Sequence, residues 1–360
     1  MKYPTDKNNV IADASACHVV GPSRRQFLTG LAALGAGALI PGCESMPQGG
    51  AGAKPYRIDV HHHFVAPTYS AALKARGQGH APWSVEKSLE DMDKSGIATS
   101  LTSLIQPALA FGDVPQARRL AREANEYAAR LSRDHPGRFA SFAAIPYTDT
   151  EGSLKEIEYA LDTLKAEGFC LMTSYAGKYL GDPAFEPVLA ELNRRKAIVY
   201  THPLAPQCCG GVVPGVAVGA IEYAVDTTRT MASLVFGGAA AKYPDIRWIF
   251  SHSGGVTPFL LSRFVRQELD MKDKAKAAMP NGMLYELKKF NYDTAQGNHP
   301  GALDALMRIV PVSQVLYGTD FPFRDGAEEN AGLAGYNFSA ADRIAIDRDN
   351  ALRLMPRLKT

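Results

Sequence analysis

From Arg57 onward the chain repeats one alternation: a short, mostly apolar run, then a longer segment whose apolar positions recur every three to four residues. Runs of the first kind span Arg57–His63, Thr99–Ile105, Phe139–Ile145, Gly168–Ser174, Ala197–His202, Ile246–His252, Lys288–Thr294 and Gln314–Asp320. Apolar runs of this length fit strands buried on both faces. The helical segments lie at Val85–Lys94, Pro115–Arg133, Ser153–Ala166, Pro183–Arg195, Ile221–Lys242, Thr257–Met271, Gly301–Ile309 and Ala340–Leu354. Eight strand-and-helix repeats predict an α/β fold closed as a (β/α)8 TIM barrel, typically about 250 residues, with insertions here. An open doubly wound sheet is the rival architecture, but no GxGxxG loop follows the first run.

The first fifty residues follow another pattern. Ser23-Arg24-Arg25-Gln26-Phe27-Leu28 leads into an uncharged Ala/Gly/Leu-rich stretch ending Leu39-Ile40-Pro41-Gly42-Cys43. This resembles a twin-arginine export signal, and the stretch is shorter than the about 20 apolar residues of a membrane span. Its end resembles a lipobox, with Cys43 as the lipidation site and Pro41 an unusual occupant; cleavage a few residues later is the alternative. The domains are then a signal at 1–43, a flexible linker at 44–55 and the barrel at 56–360. The mature protein is expected in the periplasm or anchored to a membrane as a lipoprotein.

Charge narrows the function. The 360 residues carry 39 Lys+Arg against 37 Asp+Glu, which leaves no field to gather nucleic acid. Removing residues 1–42 takes Lys2, Lys7, Arg24 and Arg25 with Asp6 and Asp13, so the mature chain is formally neutral. Cys170 reads as a core residue, and Cys208 and Cys209 as part of a Pro/Gly-rich loop; no disulfide framework is implied. Asp226 and Arg229 read as a structural helical pair.

The chemistry collects at strand ends. In Ile58-Asp59-Val60-His61-His62-His63, alternation points His61 and His63 one way and His62 the other. The fifth run closes with Tyr200-Thr201-His202-Pro203, the sixth with His252-Ser253-Gly254-Gly255, and the eighth with Gly318-Thr319-Asp320-Phe321-Pro322. Each of these side chains alone could be a satisfied core or capping residue. At the C-terminal ends of strands one, five, six and eight, however, they converge on the mouth where barrel enzymes keep their catalytic groups. Neutral imidazoles with a carboxylate suit one divalent ion, zinc first and manganese second, with a position left open for water or substrate.

This constellation resembles the amidohydrolase superfamily over residues 56–356, and in particular its branch of metal-dependent decarboxylases and related hydrolases. Trp83-Ser84, Gly181-Asp182-Pro183-Ala184-Phe185-Glu186-Pro187, Tyr243-Pro244-Asp245-Ile246-Arg247-Trp248 and Asn350-Ala351-Leu352-Arg353-Leu354 carry the same likeness. The resemblance implies that His61, His63, His202 and Asp320 hold the ion, with His252 beside them as a catalytic residue. Many members bridge two ions with a carboxylated lysine at the fourth strand; Gly168–Ser174 contains none, so one ion is implied.

The resemblance further implies non-oxidative decarboxylation of a small hydroxyaryl or unsaturated carboxylic acid, Asp320 protonating the carbon and His252 tuning it. The same groups would serve hydrolysis of a lactone, ester or amide, with Asp320 taking a proton from an activated water and His252 stabilising the oxyanion. Trp83 is the candidate substrate wall, with Phe321 as a second. Arg263 would bind a carboxylate, bridge the subunits of a homodimer, or simply stand on a solvated helix face. An exported metal- or solute-binding protein is the non-enzymatic alternative; it predicts a closed coordination shell and no need of His252.

Overall fold

The eight apolar runs fold as parallel strands in a computed structural model that describes residues 56–358 apart from Gly210. They are β1 (Arg57–Phe64), β2 (Ile97–Leu104), β3 (Phe139–Ala143), β4 (Gly168–Met172), β5 (Ile198–His202), β6 (Arg247–Phe250), β7 (Asn291–Asp293) and β8 (Val315–Leu316). Spatial order follows chain order from β1 to β8. The sheet closes on itself: Val60 N–H donates to Tyr317 O at 3.0 Å, Asp320 N–H to His61 O at 2.8 Å, and His63 N–H to Phe321 O at 2.8 Å. An open sheet would leave those groups as an unpaired edge, so closure excludes the doubly wound alternative. The expected leader, Cys43 and the linker lie outside the described residues. Among the described residues no helix is long and apolar enough to cross a membrane.

Side chains fill the barrel. Phe142 of β3 stacks on Tyr200 of β5 with centroids 5.4 Å apart; these strands are not neighbours, so the contact crosses the interior. Helices cover the outside for the reason their periodicity gave. In Val114–Asp134, residues Ala117, Leu120, Ala121, Ala124, Ala128 and Leu131 form the buried stripe, and Asp113 caps the first turn by accepting Gln116 N–H at 2.8 Å. That cap contributes about 1 kcal/mol. Asn125, a polar residue inside the stripe, is satisfied by Ala144 N–H and Ala144 O, both at 2.8 Å. It thereby fixes the chain leaving β3.

The departures from expectation fall near the mouth. β6 stops at Phe250 and β8 at Leu316, so His252 and Asp320 lie beyond their strands, not at the ends of long ones. Lys288 and Lys289 belong to a helix, Met283–Lys289, which shortens β7. Helices at Pro67–Ala75, Asp273–Ala278 and Gly326–Ala334 were not foreseen, and a small hairpin pairs Ser174–Tyr175 with Lys178–Tyr179. Cys208 and Cys209, expected to be a plain loop, are bonded to each other across adjacent residues. That link closes no loop of chain and so adds no framework; Cys170 is buried and free, as its apolar run implied.

Candidate metal centre

β1 stays extended through Phe64, so alternation places its three histidines cleanly. His61 and His63 enter the mouth, with Nε2 atoms 3.2 Å apart. His62 faces away, stacked on Phe321 at 4.7 Å, its Nδ1 3.1 Å from Asp59 Oδ2 and its Nε2 3.0 Å from Ser88 Oγ. His62 therefore locks β1 to the surrounding layer, and Phe321 is its stacking partner more than a substrate wall. Asp59 completes the lock by accepting Thr319 N–H at 3.0 Å and Thr319 Oγ–H at 2.7 Å, which ties β1 to the segment that carries Asp320.

Asp320 collects the histidines. Its Oδ1 lies 3.1 Å from His61 Nε2 and 3.0 Å from His63 Nε2, and its Oδ2 lies 3.4 Å from His252 Nε2. The His202 ring sits 4.6 Å from the His63 ring and 5.3 Å from the His61 ring, centroid to centroid. One ligand atom each from His61, His202, His252 and Asp320 falls within 4.8 Å of the others, a spacing that can hold a metal ion. His63, through its two Nε2 contacts, belongs to the same cluster. All five residues expected at the site are thus brought together.

The far sides of the rings separate them. His61 Nδ1 is 2.9 Å from Asp293 Oδ2, His202 Nδ1 is 3.0 Å from Pro203 O, and His63 Nδ1 is 3.3 Å from Ser103 Oγ. The acceptors at Nδ1 of His61 and His202 hold a proton there, and the Ser103 hydroxyl can accept in the same way from His63. Nε2 of each neutral ring then has its lone pair toward the centre, which is how metal-bound histidines are oriented. His252 differs: its Nδ1 is buried without a partner. In neutral rings the Nε2 lone pairs of His61 and His63 would crowd one carboxylate oxygen, Asp320 Oδ1, and a cation among them removes that conflict. The donor set therefore fits a divalent ion.

Burial alone would lower His61, yet Asp320 and Asp293 reverse this and raise it to about 10, so an ion binding at Nε2 would have to displace the proton held there. Burial and the neighbouring His63 and His61 hold His202 well below its ordinary value. Burial would raise Asp320, but the charge on His61 and bonds from His252, His61 and His63 keep it well below the usual carboxylate range. The site is built for one carboxylate facing positive charge.

Several participants had no expectation attached. Gln296 donates to Asp320 Oδ2 from the loop after β7, and Phe323 meets the His63 ring edge-on at 5.7 Å. Tyr223 lies 6.3 Å from the His202 ring. Asp226, expected to pair locally with Arg229, is 3.7 Å from it, but its shorter bonds run to Tyr179 OH at 2.7 Å and to Thr173 Oγ. It also accepts Leu204 N–H at 3.4 Å and so steadies the chain just past His202. Trp83 packs on Phe64 and Tyr127, at 6.4 and 6.3 Å, on the opposite face of β1 from His61 and His63. Arg263 is exposed on its helix.

The amidohydrolase family pattern matches residues 58–357. A decarboxylase of Aspergillus niger, yanB, is 35% identical over 326 residues, covering 84% of this chain and 88% of its own. The 6-methylsalicylic acid decarboxylase of Penicillium expansum is 33% identical over 318 residues, covering 84% and 97%. In fold the chain is similar to a dihydroxybenzoic acid decarboxylase of a Polaromonas species, solved with bound manganese and the inhibitor 2-nitroresorcinol. That likeness has a TM-score of 0.70 at 22% identity, over 85% of this chain and 98% of the other.

Proposed function

The chain belongs to the amidohydrolase family, and on that premise we propose that it is a metal-dependent, non-oxidative decarboxylase of a small hydroxyaryl carboxylic acid. One observation carries the reading: three histidines with Nδ1 anchored turn Nε2 toward a single carboxylate, in a chain about one-third identical to two decarboxylases. His61, His63, His202 and Asp320 are the ligands in this reading, and His252, whose Nδ1 is not anchored, is the acid/base partner. The ion is divalent. Three imidazoles and one carboxylate favour zinc, and the manganese held by the Polaromonas enzyme keeps that ion in the comparison.

Bound there, the ion would supply Lewis-acid polarisation of the substrate carboxylate and the oxygen beside it. The proton is the protein's task. Asp320 rests as the carboxylate, so the proton it passes to the substrate carbon has to cross the 3.4 Å contact from His252 Nε2 to Oδ2. Gln296 holds that same oxygen from the mouth side. Once the carbon is protonated, the bond to the carboxyl group breaks, CO2 leaves, and the bonding pair restores the ring.

The test is CO2 release by protein loaded with zinc or with manganese, offered a panel of hydroxybenzoates in parallel with esters and lactones. Release from an ortho-hydroxybenzoate is expected. Hydrolysis of the esters or lactones without any CO2 release overturns the assignment. Trp83, close to β1 but packed outward, is assigned to the substrate site only if Trp83→Phe raises KM. Phe259, Val265 and Leu269 are exposed apolar residues in the Thr257–Met271 region and support a homodimer, measured by sedimentation.

Export belongs to the same proposal. The Arg24-Arg25 pair and its apolar stretch support twin-arginine transport to the periplasm, with Cys43 as a lipid anchor. Fractionating cells that carry the full chain, its Arg24→Lys/Arg25→Lys variant and its Cys43→Ser variant tests both parts. Retention of the first variant inside the cell, and release of the second from the membrane fraction, are the expected outcomes.

A further inference from the structure

Asp293 ends β7, is wholly buried, and spends both oxygens on the site without facing its centre. Its Oδ2 accepts His61 Nδ1–H at 2.9 Å and Tyr200 OH at 2.9 Å. Its Oδ1 accepts His252 N–H at 2.8 Å and Ala295 N–H at 3.1 Å. Four donors from β1, β5, the turn after β6 and the loop after β7 meet on one carboxylate. The approach is close enough to demand glycine opposite: a Cβ on Gly318 would stand 2.9 Å from His61 Cβ and 3.1 Å from Asp293 Cβ.

We propose that Asp293 is a positioning residue that fixes His61 in the form that binds the ion and holds the His252 turn in place, so that one side chain sets both metal occupancy and acid/base geometry. The first half follows from the donor inventory. A carboxylate only accepts, so His61 must carry a proton on Nδ1, and the neutral ring that binds an ion then has its lone pair on Nε2. The second half follows from the backbone. His252 and Ser253 adopt φ of 53° and 55°, a left-handed conformation that side chains other than glycine avoid and that outside contacts must hold. The bond from His252 N–H to Asp293 Oδ1 is such a contact, and Ser253 Oγ–H adds a second by donating to Asp293 O at 3.2 Å.

The inference rests on His61 being a ligand, as assigned above. Asp293→Asn is the sharp perturbation because the shape is kept while the acceptors are halved. If the amide NH2 faces His61, it forces the proton to Nε2 and blocks the lone pair; if it faces His252 and Ala295, donors meet donors. Competition with a chromophoric chelator should show zinc binding about 10–100-fold weaker in this variant, the usual size for losing such a partner. At saturating zinc its kcat should remain depressed with KM little changed, since the His252 turn has lost its anchor. Tyr200→Phe is the comparison. It removes one donor from the same oxygen and leaves the ring stacked on Phe142, so zinc affinity should stay within about threefold of the wild type.

A measurement on the wild type covers the case in which Asp293→Asn fails to fold. Nitrogen-15 NMR of the histidine rings in the zinc-loaded protein should find the His61 proton on Nδ1. A proton on Nε2, or unchanged zinc affinity in a folded Asp293→Asn protein, overturns the proposal. Wild-type protein that binds neither zinc nor manganese overturns the ligand assignment itself, an outcome distinct from either.

Discussion

Removing His63 and removing His252 should have opposite signatures, although both rings reach the same carboxylate. His63 Nε2 lies 3.0 Å from Asp320 Oδ1 and 3.2 Å from His61 Nε2, with Nδ1 anchored on Ser103. His252 Nε2 is 3.4 Å from the other oxygen, and its Nδ1 has no partner. His63→Ala therefore deletes a donor from the centre and should leave the protein with little metal after dialysis. His252→Ala should keep its metal and lose the proton-transfer contribution, about 10²–10⁴ in kcat. At about 1.4 kcal/mol per decade, that is about 3–5 kcal/mol of barrier. Truncating a side chain that is only 9% exposed also carries a packing cost, so melting curves must accompany the kinetics. Metal per protein by elemental analysis, together with CO2 release at saturating metal, decides the matter. A His252→Ala protein that comes off dialysis empty, beside a His63→Ala protein that comes off full, would exchange the two roles and refute the argument from ring anchoring.

Other perturbations separate the scaffold from the chemistry. Gly254 has φ +74° and a Cβ there would lie 2.7 Å from Tyr292 Cε1, so Gly254→Ala must displace the turn that carries His252. A fall in kcat of at least about tenfold with normal metal content is expected, because misplacing a catalytic group by about 1 Å can cost two decades. His62→Phe keeps the stack on Phe321 but leaves Asp59 and Ser88 each short of a partner, at about 1–3 kcal/mol. Its melting temperature should drop while metal content stays, and loss of the metal would show that His62 belongs to the site. Asp91 gives a pH signature. Burial pushes its carboxyl up to about 6, so the folded chain holds this proton more tightly than the unfolded one. The stabilisation is complete below about pH 4 and drains away as pH rises to about 6. Because Asp91 is only partly buried, solvent screening reduces the effect to about 1 kcal/mol. Asp91→Asn still accepts from Gly326 N–H and should melt above the wild type at pH 8 but not at pH 4. A difference independent of pH contradicts the assignment.

The eight repeats were legible because a parallel barrel buries both faces of every strand, which writes each strand as an apolar run. β1 was legible to the side chain for the same reason: it remains extended to Phe64, and the two-residue period decides where each histidine points. The rest of the site obeys no period. Gln296 and Phe323 sit in loops, where no pattern marks them, and Tyr223 lies in the second turn of the helix Val218–Phe236, where nothing in the period singles it out. Asp226 shares a helix with Arg229, which invited a local pairing, while its strong bonds reach Tyr179 and Thr173, about fifty residues away in sequence. Asp293 did leave a signal. A carboxylate at the end of a strand buried on both faces must find donors or pay for burial, and the strand that carries it lies between two strands with candidate ligands.

That contrast also explains why His252 and Asp320 lie past their strands. A strand end alone aims a side chain either along the barrel's interior or out of it, whereas these two have to lean over the mouth toward rings that rise from β1 and β5. Both do so in the left-handed region, His252 at φ 53° and Asp320 at φ 67°, and each is held by a bond to another part of the site. Asp320 N–H donates to His61 O, the backbone of one proposed ligand; His252 N–H donates to Asp293 Oδ1, whose partner oxygen orients the ring of that same residue. The strain of both bends is thus borne through His61. A disturbance of β1 at His61 should consequently reach both the proposed metal site and the His252 turn.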